Sequence, residues 1–105
     1  MLKQALTHRS ASKKNNERLE FLGDALLNFI VARRLYERNK NDSEGDLSRL
    51  RAALVKGETL ADIGRELDVE PHIIVGPGEL RSGGAQRSSV LANTVEALVG
   101  AVLLD

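Results

Sequence analysis

The sequence predicts an all-α fold, and three observations support this prediction. Apolar residues recur at a spacing of three or four along several segments, which is the period of helices that each bury one face. Only three residues are aromatic, so the core must be built mainly from Leu, Val, Ile and Ala, which suits packed helices. The length of 105 residues fits one small domain, and the apolar fraction of 42% suffices for a core.

Composition excludes several functional classes. The formal net charge is zero, which argues against a strongly basic nucleic-acid binder but not against a nuclease whose carboxylates offset its cations. The absence of cysteine excludes disulfides, a thiolate nucleophile and a cysteine zinc site. We find neither an apolar run long enough to span a bilayer nor a signal-peptide pattern, so we expect a cytoplasmic protein with no membrane partner.

The first sixteen residues predict a short helix and a polar loop. Residues 1–7 resemble the end of a helix with Leu2 and Leu6 turned inward, and His8 opens the loop. A lone histidine is more often a capping or surface group than a catalyst, so the residues alone assign His8 no chemistry.

The central helix is predicted over residues 17–38, with Asn15 or Asn16 as its N-cap. Its apolar stripe consists of Leu19, Leu22, Leu26 and Phe29 or Ile30. Its first turns also carry acids at positions i, i+3 and i+7, which therefore share another face: Glu17, Glu20 and Asp24.

The acidic face and the mid-helix Gly23 both oppose helix formation. Neighbouring like charges cost roughly 0.2–0.5 kcal/mol per pair, and a mid-helix glycine costs about 1 kcal/mol relative to alanine. Both costs are understandable if the acids hold a metal ion and if Gly23 lets another backbone approach. The alternative is a solvated acidic surface with a tolerated glycine.

Two further helices are predicted after the break at residues 39–42. The first covers residues 43–55, where cap-type residues and acids come first and a buried stripe follows: Leu47, Leu50 and Leu54. Gly57 marks a stop or a bend. The second runs from Glu58 to about Leu67, with an inward face of Leu60, Ile63 and Leu67.

Residues 68–87 show no helical period and are punctuated by Pro and Gly, which predicts an extended loop with about one turn. His72–Val75 could form a short strand. The last helix should begin at Ser88 or Ser89, either of which can cap it. It has a broad apolar face formed by Val90, Leu91, Val95, Leu98, Val99 and Val102.

Asn93 and Glu96 share one face of this last helix. If it packs against the central helix, Glu96 can approach Glu20 and Asp24. Three carboxylates and an amide suit a hard cation, above all Mg²⁺, and do not suit zinc. One or two Mg²⁺ ions could then activate a water for phosphodiester hydrolysis. The alternative is a helix contact edged with solvated acids.

Four segments resemble the ribonuclease III family, and together they span essentially the whole chain. The most specific is Glu-Arg-Leu-Glu-Phe-Leu-Gly-Asp-Ala at residues 17–25, which resembles the family signature. The others lie at residues 44–52, 76–84 and 91–100, and the resemblance is greatest to the bacterial members. It implies the helical endonuclease-domain fold of that family, dimerising through the signature helix.

The resemblance also implies an activity and the residues that carry it. We expect Mg²⁺-dependent hydrolysis of double-stranded RNA, with Mn²⁺ able to substitute and with no organic cofactor. Asp24 and Glu96 are implied as the catalytic metal ligands, supported by Glu20 and Asn93. Glu17 and Glu44 match acidic positions implied in RNA contact or, across the dimer, in the cleavage valley.

The same resemblance implies a homodimer in which each subunit cuts one RNA strand. Phe21 and Ala25 lie off both the apolar and the acidic stripes, so with Gly23 they are the expected dimer contact. From the residues alone, Phe21 could instead complete the core.

The glycine-rich stretch at residues 76–87 offers backbone N–H groups and the side chains of Arg81, Ser82 and Arg87 near a helix start. Such groups suit phosphate contacts, although a plain connector with solvated arginines explains the composition equally well. The resemblance favours RNA contact. Base readout is not expected, because proteins recognise duplex RNA mainly through its shape, phosphates and 2′-hydroxyls.

One position departs from the family pattern, since Asn93 stands where the family usually has Asp. The amide keeps an oxygen ligand but loses a charge, so we expect weaker metal binding. A cleavage-impaired RNA-binding or scaffold domain is therefore the alternative function, and a helical protein-interaction module is the third. We expect residues 1–105 to form one endonuclease domain, with flanking helical sequence and the RNA-binding domain outside it.

Overall fold

The last helix is the element around which the other helices pack. The structure is a computed structural model that describes all 105 residues. In chain order its α-helices are α1 (Leu2–Ala5), α2 (Glu17–Arg38), α3 (Glu44–Val55), α4 (Gly57–Glu66), α5 (Pro77–Arg81) and α6 (Ser88–Leu104). Short 3-10 helices cover Glu70–His72 and Gly84–Gln86. There is no strand, so the all-α prediction is confirmed.

Helix α6 is buried along most of its length, between α2 on one side and α4 on the other. This position follows from its sequence, because Glu96 is its only ionisable residue. Its small and apolar side chains pack into three neighbouring clusters. In the first they contact Ala61, Val69 and Ile73, in the second Ala5 and Leu19, and in the third Leu60.

Two glycines let α2 and α6 cross with their backbones in contact. A Cβ atom added to Gly23 would overlap the backbone carbonyl of Glu96, and one added to Gly100 would overlap that of Leu19. The predicted close approach of another backbone at Gly23 is therefore confirmed. Its physical basis is that only glycine leaves room for a second helix at such a crossing.

Helix α2 begins and ends where the sequence predicts, but its N-terminus is capped by the residue before its N-cap position. The side-chain oxygen of Asn15 accepts the Glu17 backbone N–H at 3.0 Å. Asn16 is buried and instead donates its amide to the Ala5 carbonyl at 3.2 Å, which fastens α1 to the start of α2.

Several predicted inward faces are wrong, because no element of the structure covers them. Helix α3 contains no buried residue, and Leu50 and Leu54 are exposed. It packs only against α2 and, weakly, against α4. The outer end of the apolar stripe of α2 is uncovered for the same reason. The other residues that were predicted to face inward but are exposed are Phe29, Ile30, Leu2, Ile63, Leu67 and Val102.

Residues 68–87 are more ordered than the predicted extended loop. Pro71 and Pro77 lie at the starts of a 3-10 helix and of α5, where their fixed φ angle favours a helical turn. Ile74 forms only an isolated parallel bridge to Thr7, so the possible strand over His72–Val75 is not formed. Helix α6 starts at Ser88 as predicted, but neither serine caps it and its N-cap residue is Arg87.

No helix combines the length and the apolar character needed to cross a membrane.

Candidate metal centre and adjoining polar cleft

The crossing of α2 and α6 brings Asp24 and Glu96 together. Asp24 follows Gly23 directly, and the Glu96 backbone rests on Gly23, so the two carboxyl groups project from the same point of contact. They lie within hydrogen-bond reach of each other. The predicted approach of these two helices and of their acids is therefore present in the fold.

Burial makes Glu96 an unusual acid. Glu96 is only 9% exposed to solvent. Burial, followed by the hydrogen bond and the negative charge of Asp24 and by the charge of Glu20, raises the pKa of Glu96 to about 8. At neutral pH Glu96 therefore stays largely protonated, since burial and the neighbouring negative charge both disfavour its ionised form.

Glu20 lies one turn before Asp24 on the same helix and belongs to the same acidic group. Burial raises its pKa, as do the negative charges of Glu17 and Asp24, while the positive charge of Arg9 partly offsets them. On this acidic face of α2, Glu17 and Asp24 are exposed to solvent, and only Glu20 is half-buried.

The chemistry of these donors fits a hard divalent cation. Asp24 and Glu96 present carboxyl oxygens side by side, burial disfavours the charge of Glu96, and a bound cation would offset that cost. No three His, Cys, Asp or Glu side chains are arranged as a complete ligand set. The side chains therefore form a carboxylate pair, and Glu20 would have to turn toward it to ligate the same ion.

A polar cleft of about 330 Å³ lies beside the carboxylate pair. One wall is formed by the loop before α2 and by the start of α2, and the other by α5 and the first turns of α6. Its lining is polar except for Val90, and comprises His8, Arg9, Ser10, Asn16, Glu17, Glu20, Glu79, Arg87, Ser89 and Asn93. Asn93 lines the cleft and lies one turn before Glu96 on α6, whereas Asp24 and Glu96 are not part of the lining.

The remaining predicted RNA-contacting residues do not all lie at this cleft. Arg87 lines it and forms an ion pair with Glu79 at 3.0 Å, and Glu17 lines the opposite wall. Arg81 and Ser82 are exposed on the adjoining segment, outside the cleft lining. Glu44 starts α3 and lines a separate groove between α2 and α3, so within one chain it is not brought to the acids.

The three expected dimer-contact residues have different environments. Phe21 is 80% exposed and Ala25 is also exposed, so the alternative in which Phe21 completes the core is wrong. Gly23 is buried against α6 within the chain. The assignment of Gly23 to a dimer contact is therefore wrong, because its open side is already occupied by the Glu96 backbone.

The resemblance implies an RNA-facing or structural role for the Thr-His-Arg-Ser stretch, but the sequence did not predict that the loop before α2 lines this cleft. Arg9, Ser10 and Asn16 line the cleft although they show no helical period and lie far from Glu96 in the sequence. The Thr-His-Arg-Ser stretch at residues 7–10 was the available signal, but its partners come from residues 74–76 and cannot be found by spacing.

Comparisons with known proteins identify the family and the fold. The Ribonuclease-III-like family model matches residues 1–105. The chain is 60% identical over 105 residues to Ribonuclease 3 of Nitrosococcus oceani, covering all of this chain and 45% of that protein. It therefore spans less than half of that relative's length.

Two solved structures of the nuclease domain of ribonuclease III from Campylobacter jejuni superpose closely, with TM-scores of 0.95 and 0.92 at 45% sequence identity. Each match covers 98% of this chain, and 73% and 71% of the respective solved chains. One of those structures is described in terms of flexibility in a region involved in dimer formation. The chain belongs to the ribonuclease III family and has the fold of its nuclease domain.

Proposed function

We propose that this domain cleaves double-stranded RNA by Mg²⁺-dependent hydrolysis of phosphodiester bonds. The observation that carries the proposal is the pairing of the buried Glu96 with the solvent-exposed Asp24 at the crossing of α2 and α6. Family membership supports the reaction class. The setting that this activity implies is the processing of structured RNA, including ribosomal RNA, in the cytoplasm.

Asp24 and Glu96 would hold the ion, and Glu20 and Asn93 would support it directly or through water. When bound there, Mg²⁺ or Mn²⁺ supplies the Lewis acid that activates a water and stabilises the leaving oxygen. Glu96 must give up its proton for the site to form, because only the ionised carboxylate is a good ligand. The buried position of Glu96 then excludes bulk water from one side of the phosphodiester group that is cleaved.

The cleft would hold the RNA backbone next to the acids. Arg87 is placed there with one guanidinium nitrogen already bonded to Glu79, which fixes the plane of its remaining donors. Arg81 and Ser82 extend the same edge outward. These residues would contact phosphates and 2′-hydroxyls, which is the mode of recognition that duplex RNA favours.

A homodimer would supply a second acidic site for the opposite strand. The exposed Phe21 and the neighbouring Ala25 provide an apolar surface on α2, on the side away from α6. A two-fold contact through this surface would use the same residues on both subunits. One cut on each strand of a duplex then requires no second binding event.

The direct test is cleavage of duplex RNA in Mg²⁺ by the wild-type chain and by Glu96→Gln. Glutamine keeps the shape of the protonated acid, so the fold should persist while cleavage falls by roughly 10²-fold or more. Glu66→Gln, an exposed acid at the end of α4, is the matched control and should cleave normally. Equal cleavage by wild type and Glu96→Gln would overturn the site assignment.

A second candidate function is RNA binding with impaired cleavage, and Asn93 is the observation that favours it. Its amide lies on the same face of α6 as Glu96 but brings no charge to the ion. An Asn93→Asp variant separates the two functions. A large gain in cleavage rate would show that the present chain is impaired, whereas an unchanged rate would show that the amide suffices.

A further inference from the structure

The loop before α2 is fastened to the segment before α5 by one serine. The Ser10 hydroxyl accepts the Gly76 backbone N–H at 2.8 Å, although 66 residues separate the two. A Cβ atom added to Gly76 would overlap the Ser10 carbonyl, so the two backbones are in direct contact. Backbone bonds on either side of residue 74 continue this contact, from His8 to Ile74 and from Ile74 to Leu6, both at 2.8 Å.

His8 completes the arrangement by fixing the direction of the hydroxyl. Because Ser10 Oγ accepts from Gly76, its own proton is free to be donated to His8 Nδ1, which lies 2.7 Å away. The Ser10 backbone N–H also donates to Nδ1, at 3.1 Å. Nδ1 therefore accepts twice, and the neutral ring carries its proton on Nε2.

Arg9 lies between these two residues and is held at the cleft by them. Its guanidinium is 3.8 Å from the Glu17 carboxylate, and it is the one cation that lowers the pKa of Glu20. The Arg9 and Glu17 side chains are 70% and 56% exposed, so their ion pair is weak and easily exchanged for another anion. Across the cleft, the charge of Arg87 is already matched by Glu79.

We propose that Arg9 contacts a backbone phosphate of duplex RNA beside the carboxylate pair, and that His8 and Ser10 are positioning residues for it. This inference rests on the proposed function and names a further part of the same RNA-binding surface. A phosphate entering the cleft would meet two acids on the α2 wall, Glu17 and Glu20, and would need a cation there to offset them. Arg9 releases Glu17 and binds the phosphate instead. The His8–Ser10–Gly76 hydrogen bonds hold the Arg9 backbone at the edge of the cleft.

The first experiment measures binding and cleavage of duplex RNA by the Arg9→Ala variant of this chain. We expect KM and Kd to rise by roughly 5- to 10-fold, kcat to stay within about 2-fold, and the salt dependence of log Kd to lose about one unit of slope. Arg38→Ala is the matched control. It removes an exposed arginine from the other end of α2, roughly 27 Å along the helix from Glu20, and should leave KM and slope unchanged.

The second experiment tests whether His8 and Ser10 act through Arg9. Ser10→Ala and His8→Ala should raise KM as Arg9→Ala does, while Ser10→Thr and His8→Asn should restore it. Threonine keeps the hydroxyl, and the asparagine oxygen can accept the residue-10 N–H as Nδ1 does. In an Arg9→Ala background, Ser10→Ala should raise KM no further. Thermal unfolding of each variant separates this effect from loss of fold, because Ser10→Thr and His8→Asn keep the network.

The outcomes distinguish this inference from the function on which it rests. If the wild-type chain neither binds nor cleaves duplex RNA, the proposed function fails. If it does, but Arg9→Ala binds and cleaves with unchanged KM and salt slope, the role of Arg9 is overturned. If the Ser10→Ala and Arg9→Ala effects on KM simply add, the positioning role of Ser10 is overturned.

Discussion

The backbone carbonyl of Glu96 lies against the Cα atom of Gly23, with no room for a side chain between them. A few residues farther along α6, the position of a Gly100 Cβ atom would be 3.2 Å from the Gly23 backbone nitrogen. These contacts fix the separation of α2 and α6 at the turn that carries Asp24. The distance between the Asp24 and Glu96 carboxyl groups is therefore set by glycines that have no chemistry of their own.

Gly100→Ala should destabilise the domain and separate the acids. The added methyl group would meet the Leu19 carbonyl, and overpacking of this kind typically costs about 1–3 kcal/mol. Each kcal/mol should lower Tm by roughly 4–8 °C in a domain of this size. Thermal unfolding measures the loss.

Gly57→Ala is the control for that substitution. Gly57 opens α4, and a Cβ atom there would have nothing within 4 Å. Alanine should therefore stabilise by about 0.4–1 kcal/mol through the unfolded state. If Gly100→Ala were as stable as Gly57→Ala, the tight crossing would be wrong.

The stability of the metal-free domain should fall as the pH rises through neutrality. The pKa of Glu96 is raised from near 4.5 to about 8, and that of Glu20 is raised as well, so the folded state binds more protons than the unfolded state in this range. The contribution of Glu96 is complete below about pH 4.5 and is lost as the pH rises through about 8. Urea unfolding in EDTA between pH 5.5 and 9 measures this slope.

Glu96→Gln is the informative comparison, because glutamine does not ionise. The variant should lose most of the pH dependence, and above pH 8 it should be more stable than the metal-free wild type. A wild-type slope that persisted unchanged in Glu96→Gln would show that another group is responsible.

Binding of Mg²⁺ should release a proton near neutral pH. Glu96 is largely protonated in the free site, because its pKa is raised to about 8, and a bound cation would displace that proton. Calorimetric titrations in two buffers of different ionisation enthalpy give the number of protons released, which should approach one at pH 7 and decrease above pH 8. Equal heats in the two buffers would mean that the cation binds elsewhere or that Glu96 is already ionised.

The exposed Phe21 should control self-association. Phe21→Lys places a charge in the apolar surface on α2, so the dimer should dissociate more readily. The Tm measured at protein concentrations where the chain is monomeric should change little. Sedimentation equilibrium compares the dimer dissociation constants. Leu67→Lys, at the far end of α4 and 62% exposed, is the control. Equal association by both variants would exclude Phe21 from the interface.

Local spacing predicted the long helices and which acids share a helix face, whereas the pairing of Asp24 with Glu96 was implied by the resemblance to the ribonuclease III family. The bounds of α2 follow from its helical period and its capping residues, and the alignment of Asn93 with Glu96 follows from the helical repeat. The role of Gly23 could be predicted because a mid-helix glycine beside an acidic face needs a reason. That reason is a neighbouring backbone.

The errors arise where an element has no partner within the chain. Leu50 and Leu54 have the spacing of a buried stripe, yet α3 lies at the edge of the fold and leaves them exposed. Periodicity identifies an apolar face but not what covers it. The Ser10–Gly76 contact was missed for a different reason, since a bond across 66 residues leaves no trace in local spacing.

Crystals of the domain soaked in Mn²⁺ give the most direct test of the central claim, through the anomalous signal of the metal. We expect a peak bound by the Asp24 and Glu96 carboxylates, with the Glu20 or Asn93 side chain directed toward it, and no such peak in Glu96→Gln. A strong Mn²⁺ peak elsewhere, with no metal density between Asp24 and Glu96, would contradict the proposed site.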